Sequence, residues 1–554
     1  MTATIHDENP AAADFASAAA DIPTEVWLAC FSHCDTASLA ALSLTNTYFY
    51  NICADLRFSR PFVFEIGAVG EADALAYMQR KKQHLLDLAA SPYAGQIQTM
   101  AFDSVIGTFG SRQATTDEKQ RRLEGYQALE KTFVEMLPAF QGLKEITVCG
   151  VRGDAMESFG QALEHLPALE ELNFRAADLL QAPTRLSLKN VSLNAPARRD
   201  IPFEANRMDY LDPQTLRSLT LSQAYIAPIF RALLHAARPL EQLTEIDLVL
   251  NNTDLPLLLE LFAWLPNLHS ASIYLIASGT AQLDTLPPVP ATHLPRLTTL
   301  VAPAPLAALI APGHPITALR LVGGYSACWE DPGPRAVLPA LAQTSVPVKT
   351  LSLTSYNLAP GPGTDTVDVL NSLARAFPAL EKLDIEWDET AYGLKRAVYP
   401  EMFDDAAKEV PSGFGAGERS GFRYDIDNDA EYAPPESTIF AQQEQTALEL
   451  VLSSLNETLR LPSTLKSIVF LNSLRSTAHE HAAILTLEKL HPAFEEIEFG
   501  GWVRDSRWAR TGRMWENFAA EGAADARLKG EKVGQQRFRI VSSVVQQSEC
   551  TASA

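Results

Sequence analysis

The chain has 554 residues and a formal charge of −22. That acidity excludes a general affinity for nucleic acid or anionic membrane, since both require clustered Lys and Arg. An apolar content of 47% excludes a disordered chain.

Six cysteines (Cys30, Cys34, Cys53, Cys149, Cys328, Cys550) are too sparse for a disulfide framework, so reduced thiols in the cytoplasm or nucleus are expected. The first 20 residues, rich in alanine, lack the basic region and apolar core of a signal peptide and are expected to form a disordered leader. The least polar stretch, Leu300 to Gly313, is broken by Pro303, Pro305 and Pro312, so no membrane span is expected.

Residues 21–58 read as three short helices. Pro23 suits a first helical turn, and Val26, Trp27, Cys30, Phe31 and Cys34 then fall on one helical face. Asp35 offers an N-cap ahead of Leu39 and Leu42, and Phe49, Ile52, Cys53 and Leu56 recur at helical spacing. Three helices this short are expected to leave apolar surface for something else to cover.

The run Ile22-Pro23-x-Glu25-Val26-Trp27, with Phe31, Leu39, Leu42, Leu44 and Phe49, resembles the F-box motif, which usually opens Leu-Pro-x-Glu. That resemblance implies docking on a Skp-type adaptor, which connects to the cullin and RING subunits of an SCF ubiquitin ligase. The residues expected to meet the adaptor are Ile22, Pro23, Glu25, Val26, Trp27, Phe31, Leu39, Leu42, Leu44 and Phe49.

Downstream, the pattern apolar-x-x-apolar-x-apolar recurs. It starts at Ile97, Leu143, Leu169, Leu188, Leu216, Leu243, Leu268, Leu297, Ile316, Val348, Leu380, Leu465 and Phe494. Most intervals fall between 19 and 32 residues, with an interval of 46 where one unit is skipped and one of 85 where an insertion sits. Alternation within each unit predicts a short strand, and intervening stretches such as "MESFGQALEHLP" and "VDVLNSLARAFP" predict helices ended by proline.

The spacing resembles the leucine-rich-repeat family. The fold class expected is therefore α/β: a three-helix F-box-like module, then over residues 59–505 a right-handed solenoid with a parallel sheet on its concave face and helices outside. The family's turn asparagine falls in frame only at Asn251, so the other turns are expected to satisfy their backbone differently. Outward strand positions, expected to meet a substrate, include Lys144, Glu170, Asn173, Arg217, Asp247, His269, Arg320, Lys349, Asp384 and Glu498.

Within the long interval, residues 401–436 hold ten Asp or Glu against three basic residues, a loop composition placed in an insertion at about 390–440. Asp425, Asp427, Asp429 and Glu436 fall at calcium-loop spacing, but Ala430 replaces the required glycine and Pro434 and Pro435 block the exit helix, so no calcium site is expected. "GFGAG" at Gly413–Gly417 lacks the third glycine of a dinucleotide motif. "GGYSAC" around Ser326 lacks the closing glycine of a nucleophile elbow. Cys30, His33 and Cys34 are read as helix residues, with both cysteines on the buried face rather than on a metal.

After Arg504, aromatic residues mixed with charges and a final strand beginning at Phe538 predict a cap and tail over residues 506–554. The expected function is a non-catalytic SCF substrate-recognition subunit without cofactor or metal. Its partners would be the Skp-type adaptor, the cullin–RING subunits and a protein substrate, not nucleic acid or membrane. The alternatives are a free-standing repeat scaffold whose N-terminal helices only cap the solenoid, and a hydrolase built on Ser326.

Overall fold

A computed structural model describes residues 22–45, 47–59, 62–66, 74–104, 116–151, 154–175, 179–194, 209–236, 238–275, 286–322, 334–354, 366–385, 452, 455, 458–470, 477–500, 506–511, 514–517 and 538–541. The expected leader, the acidic insertion, the calcium-like spacing, the glycine-rich stretch and Ser326 lie outside the described residues. The chain divides into two compact units, Met1–Leu268 and His269–Ala554.

The first unit opens with three helices, α1 (Thr24–Phe31), α2 (Thr36–Ser43) and α3 (Thr47–Ser59). There follow β1 (Phe62–Ile66), α4 (Ala74–Ala90), β2 (Thr99–Ser104), α5 (Thr116–Met136), β3 (Glu145–Cys149) and α6 (Asp154–Leu163). The unit continues through β4 (Glu171–Arg175), β5 (Asn190–Asn194), β6 (Ser218–Leu221), α7 (Gln223–His235), β7 (Glu245–Leu250) and α8 (Leu255–Phe262).

Strands β1 to β7 pair in sequence order, each parallel to the last where register is defined, as expected when helices carry the chain back between strands. Register puts like on like. Met100, Ile146, Leu172, Val191, Leu219 and Ile246 form one buried line, and Phe102, Val148, Phe174, Leu193, Leu221 and Leu248 a second. Phe133 of α5 stacks on Phe102 at 4.4 Å, and Phe159 of α6 on Phe174 at 5.6 Å. Each buried side chain of this size contributes about 1.5–3 kcal/mol, and repetition of that contribution stabilises strands of only four to six residues.

Two features depart from expectation. Strand β1 precedes the first repeat pattern; Phe62–Ile66 lacks the leading apolar-x-x and still pairs with β2 through a buried Phe64. Between β4 and β5, between β5 and β6 and, in the second unit, between β8 (Ser270–Leu275) and β9 (Thr299–Ala302) the described residues form no helix. Leu186 instead bridges to Leu211, and the backbone N–H of Leu180 donates to the Tyr225 hydroxyl at 2.8 Å. A side chain from α7 thus meets a backbone donor that a helix would otherwise satisfy.

The second unit holds β8 (Ser270–Leu275), β9 (Thr299–Ala302), α9 (Ala304–Ile310), β10 (Ala318–Val322), α10 (Pro334–Leu341), β11 (Thr350–Thr354) and α11 (Thr366–Ala376). It continues with β12 (Lys382–Ile385), β13 (Ser467–Phe470), α12 (Thr477–Leu490) and β14 (Glu496–Phe499). Strands β8 to β14 are parallel in sequence order, and β12 pairs directly with β13 across the long interval.

Three antiparallel strands close this unit: β15 (Ser506–Thr511), β16 (Met514–Asn517) and β17 (Phe538–Val541). The indole N–H of Trp508 donates to the buried carboxylate of Glu480 on α12 at 3.0 Å. Each of the thirteen repeat patterns coincides with one strand from β2 to β14. The architecture is an N-terminal helical module followed by parallel strands alternating with helices, consistent with a leucine-rich-repeat solenoid. Among the described residues no helix is long and apolar enough to cross a membrane.

Candidate docking surfaces

The three N-terminal helices do enclose a core, small as they are. Phe31, Leu39, Phe49, Ile52 and Cys53 are buried, and Trp27, Leu28, Cys34, Leu42, Tyr48 and Leu56 pack around them half-covered. The rings lock edge to face: Trp27 against Phe49 at 4.8 Å and Phe31 against Phe49 at 5.3 Å. Asp35 caps α2 by accepting from the Ser38 N–H at 2.7 Å, as its sequence position predicts.

The start of α1 is held differently. Pro23 caps it through its carbonyl, which accepts from Val26 N–H at 3.0 Å, and Tyr48 of α3 reaches back to Thr24 Oγ1 at 3.2 Å and to the Ile22 carbonyl at 3.4 Å.

This packing sorts the ten expected adaptor contacts. Phe31, Leu39 and Phe49 lie inside the module, and Trp27 and Leu42 line its margin. Ile22, Pro23, Glu25, Val26 and Leu44 stand in solvent, with Ile22 38%, Val26 48% and Leu44 87% exposed. Cys30, expected on the buried face, is exposed one turn after Val26, because α1 turns Trp27 and Phe31 inward instead. Cys34 is half-buried against the core. The module touches the repeats of its own unit through Tyr50, whose ring meets Tyr93 at 5.9 Å.

The sheet carries a second surface. In each unit, alternate strand residues face away from the buried lines and form rows across the strands. In the first unit Thr147, Asn173, Ser192, Thr220 and Asp247 are in register, and in the second Arg320, Ser352, Asp384, Val469 and Glu498. The remaining expected contacts lie elsewhere. Lys144, Glu170 and Arg217, and in the second unit His269 and Lys349, sit one residue ahead of their strands, on a rim where successive backbones still hydrogen-bond.

Rim charges pair sideways. Lys189 meets Glu170 at 2.6 Å, Lys349 meets Glu381 at 2.8 Å and Lys466 meets Glu495 at 3.0 Å. The lysine hydrogen bonds hold the carboxyls of Glu170 and Glu381 below their usual value.

On the open rows the direction reverses. Burial pushes the Asp247 carboxyl up, aided by the nearby Glu245. Burial also raises Asp384, against the opposing pull of Lys382, whose Nζ lies 3.4 Å away. Burial raises the Cys149 thiol, with Asp103 adding to it.

Sequence reasoning missed Lys189, Glu381, Lys466 and Glu495 as rim partners. The repeat frame held the signal, since every rim residue occupies the second position of its apolar-x-x-apolar-x-apolar unit and every open-row residue the fifth. Among the described residues, no group of three or more His, Cys, Asp or Glu is arranged to hold a metal. The arrangement offers two solvent-facing surfaces: a small aromatic-cored module with exposed aliphatic side chains, and a polar sheet face edged by paired charges.

No curated protein matches the chain. The family model of the F-box domain matches residues 20–61, which span all three helices of the module and end just before β1. The chain carries an F-box domain at residues 20–61.

Proposed function

We propose that the chain is the substrate-recognition subunit of an SCF-type, cullin–RING ubiquitin ligase. The F-box domain docks on a Skp-type adaptor, and the open rows of leucine-rich repeats hold a protein substrate. Ubiquitin transfer belongs to partner subunits, so the chain acts by raising the local concentration of substrate lysines near them, in the cytoplasm or nucleus. In this reading residues 1–20 are a leader, 21–58 the docking module, 59–505 the repeats with their insertion at about 390–440, and 506–554 a cap and tail.

The observation that carries the reading is the F-box match at residues 20–61, on a module that keeps Ile22, Val26 and Leu44 in solvent after sealing its own core. Fully burying side chains of that size contributes about 1.5–3 kcal/mol each toward docking. Direct adaptor contact is assigned to Ile22, Pro23, Glu25, Val26 and Leu44, with Trp27 and Leu42 at the margin. Phe31, Leu39 and Phe49 act by holding α1 and α2 in place. On the open rows, Asn173, Asp247, Arg320, Asp384 and Glu498 are assigned to substrate, with Lys144, Glu170, Arg217, His269 and Lys349 on the rim beside them.

The contact of Tyr50 with Tyr93 favours a second reading, in which the helices serve only to cap a stand-alone repeat scaffold. Affinity capture of the tagged full-length chain separates the two. The ligase reading expects adaptor, cullin and RING subunits in the eluate; a folded chain that brings down no adaptor favours the scaffold.

A further inference from the structure

The turn that follows α9 carries a histidine without a polar contact. His314 is fully buried, and among the described residues neither of its ring nitrogens meets a hydrogen-bond partner. Buried polar side chains are nearly always paired, which sets this ring apart. His293, on the segment before β9, is half-buried near it and has an unpartnered Nδ1 of its own.

Three segments of the second unit close on this turn. Before β9, the Val289 N–H donates to the Leu309 carbonyl at 2.9 Å. After α10, the Gln343 carbonyl accepts from the Gly313 N–H at 2.8 Å, and the Ser345 N–H donates to the His314 carbonyl at 2.9 Å. Gly313, at φ +78°, comes so close to the segment before β9 that a Cβ on it would lie 2.9 Å from that of Ala291. These segments, residues 286–295, 304–317 and 342–348, contain no acid and no titratable side chain besides the two histidines. The groups that act on the charge of the ring are His293 and the backbone carbonyls of Ile310, Pro312 and Pro290.

Burial holds His314 below its ordinary value of 6.5; those carbonyls pull the other way, and His293 adds to the lowering. A proton taken up here therefore places a buried charge that no carboxylate of the three segments can pair. We propose that His314 is an acid-sensitive latch: once protonated it leaves its site, and the segments before β9 and after α10 come loose from the turn. The stability held by the neutral ring is fully present above the unfolded value of 6.5 and is lost as pH falls below it toward the lowered folded value. The latch calls on no residue of the F-box domain and stands independently of adaptor docking.

Hydrogen exchange by the full-length chain, corrected for intrinsic rates, reads the latch at the Val289, Gly313 and Ser345 amides. Between about pH 7.5 and about pH 5.5, protection there falls up to about tenfold if the closed form keeps the ring neutral. Peptides spanning β3 to β5 keep theirs. His314→Leu, which takes up no proton, removes the pH dependence, and His314→Gln does the same should the leucine variant fail to fold. His293→Gln leaves a smaller fall, because His314 then takes up its proton in place more easily. Equal wild-type protection at both pH values, a fall shared by the strands β3 to β5, the same fall in the His314 variants, or its complete loss in His293→Gln would overturn the proposal.

Discussion

The indole of Trp27 meets the ring of Phe49 edge to face at 4.8 Å, and with Phe31 the three rings form a closed aromatic set across α1 and α3. That set decides which side of α1 is interior, and therefore leaves Val26 in solvent.

Phe49→Ala removes the ring that touches both of the others. We expect it to destabilise the module by about 3–5 kcal/mol, the usual cost of a large-to-small change in a core. Hydrogen exchange over residues 22–59 checks this, and retention of wild-type protection would contradict it. Leu39→Asp, which places a charge in a fully buried position, unfolds the module as well. It is therefore a poor reporter of docking, since loss of binding and loss of fold coincide.

Gly160 tests the packing behind the sheet. A Cβ there would lie 1.8 Å from the Gln181 carbonyl oxygen, a backbone atom that has no rotamer to yield. Gly160→Ala is expected to cost about 1–3 kcal/mol by overpacking, measured as a lower urea midpoint. An unchanged midpoint would show that α6 does not approach residue 181 so closely.

Trp508 and Glu480 test the closing strands. Glu480→Ala deprives a buried indole N–H of its acceptor, at a cost of about 1–3 kcal/mol. The expected readout is earlier unfolding with a red-shifted tryptophan emission, and coincidence with wild type on both would count against the contact.

The open row makes a prediction about pH. Because burial and Glu245 raise the folded-state value of Asp247, the protonated form is favoured in the folded protein. Its contribution to stability is fully present below the unfolded value of 3.8 and is lost as pH rises through the raised folded value. Asp247→Asn should therefore be more stable than wild type at neutral pH, by at most about 1 kcal/mol given the side chain's contact with solvent, and the gap should close in acid. A variant less stable at neutral pH would reverse the sign.

The repeat frame made most strands legible because one six-residue pattern encodes both the buried lines and the open rows. Strand β1 was hidden because Phe62–Ile66 carries the alternation without the preceding turn leucine. The helix-less link between β4 and β5 was hidden because its support comes from Tyr225, 45 residues downstream of Leu180. In the docking module, helical period identified every apolar position but not its side. Val26 and Trp27 lie about 100° apart around the helix, and it is the position of Phe49 on another helix that makes the Trp27 side the interior one and leaves Val26 outside. Likewise the rim pairs needed the inter-strand register, which places Lys189 beside Glu170 and Lys349 beside Glu381.

Adaptor binding by the purified full-length chain, titrated calorimetrically with a Skp-type adaptor, tests the central claim most directly. The account predicts saturable binding by wild type, and more than a tenfold loss for Val26→Asp and Leu44→Asp at unchanged melting temperature, since each buries a charge where about 1.5–3 kcal/mol of apolar contact stood. A well-folded wild type that releases no heat, or variants that bind as tightly as wild type, would contradict it.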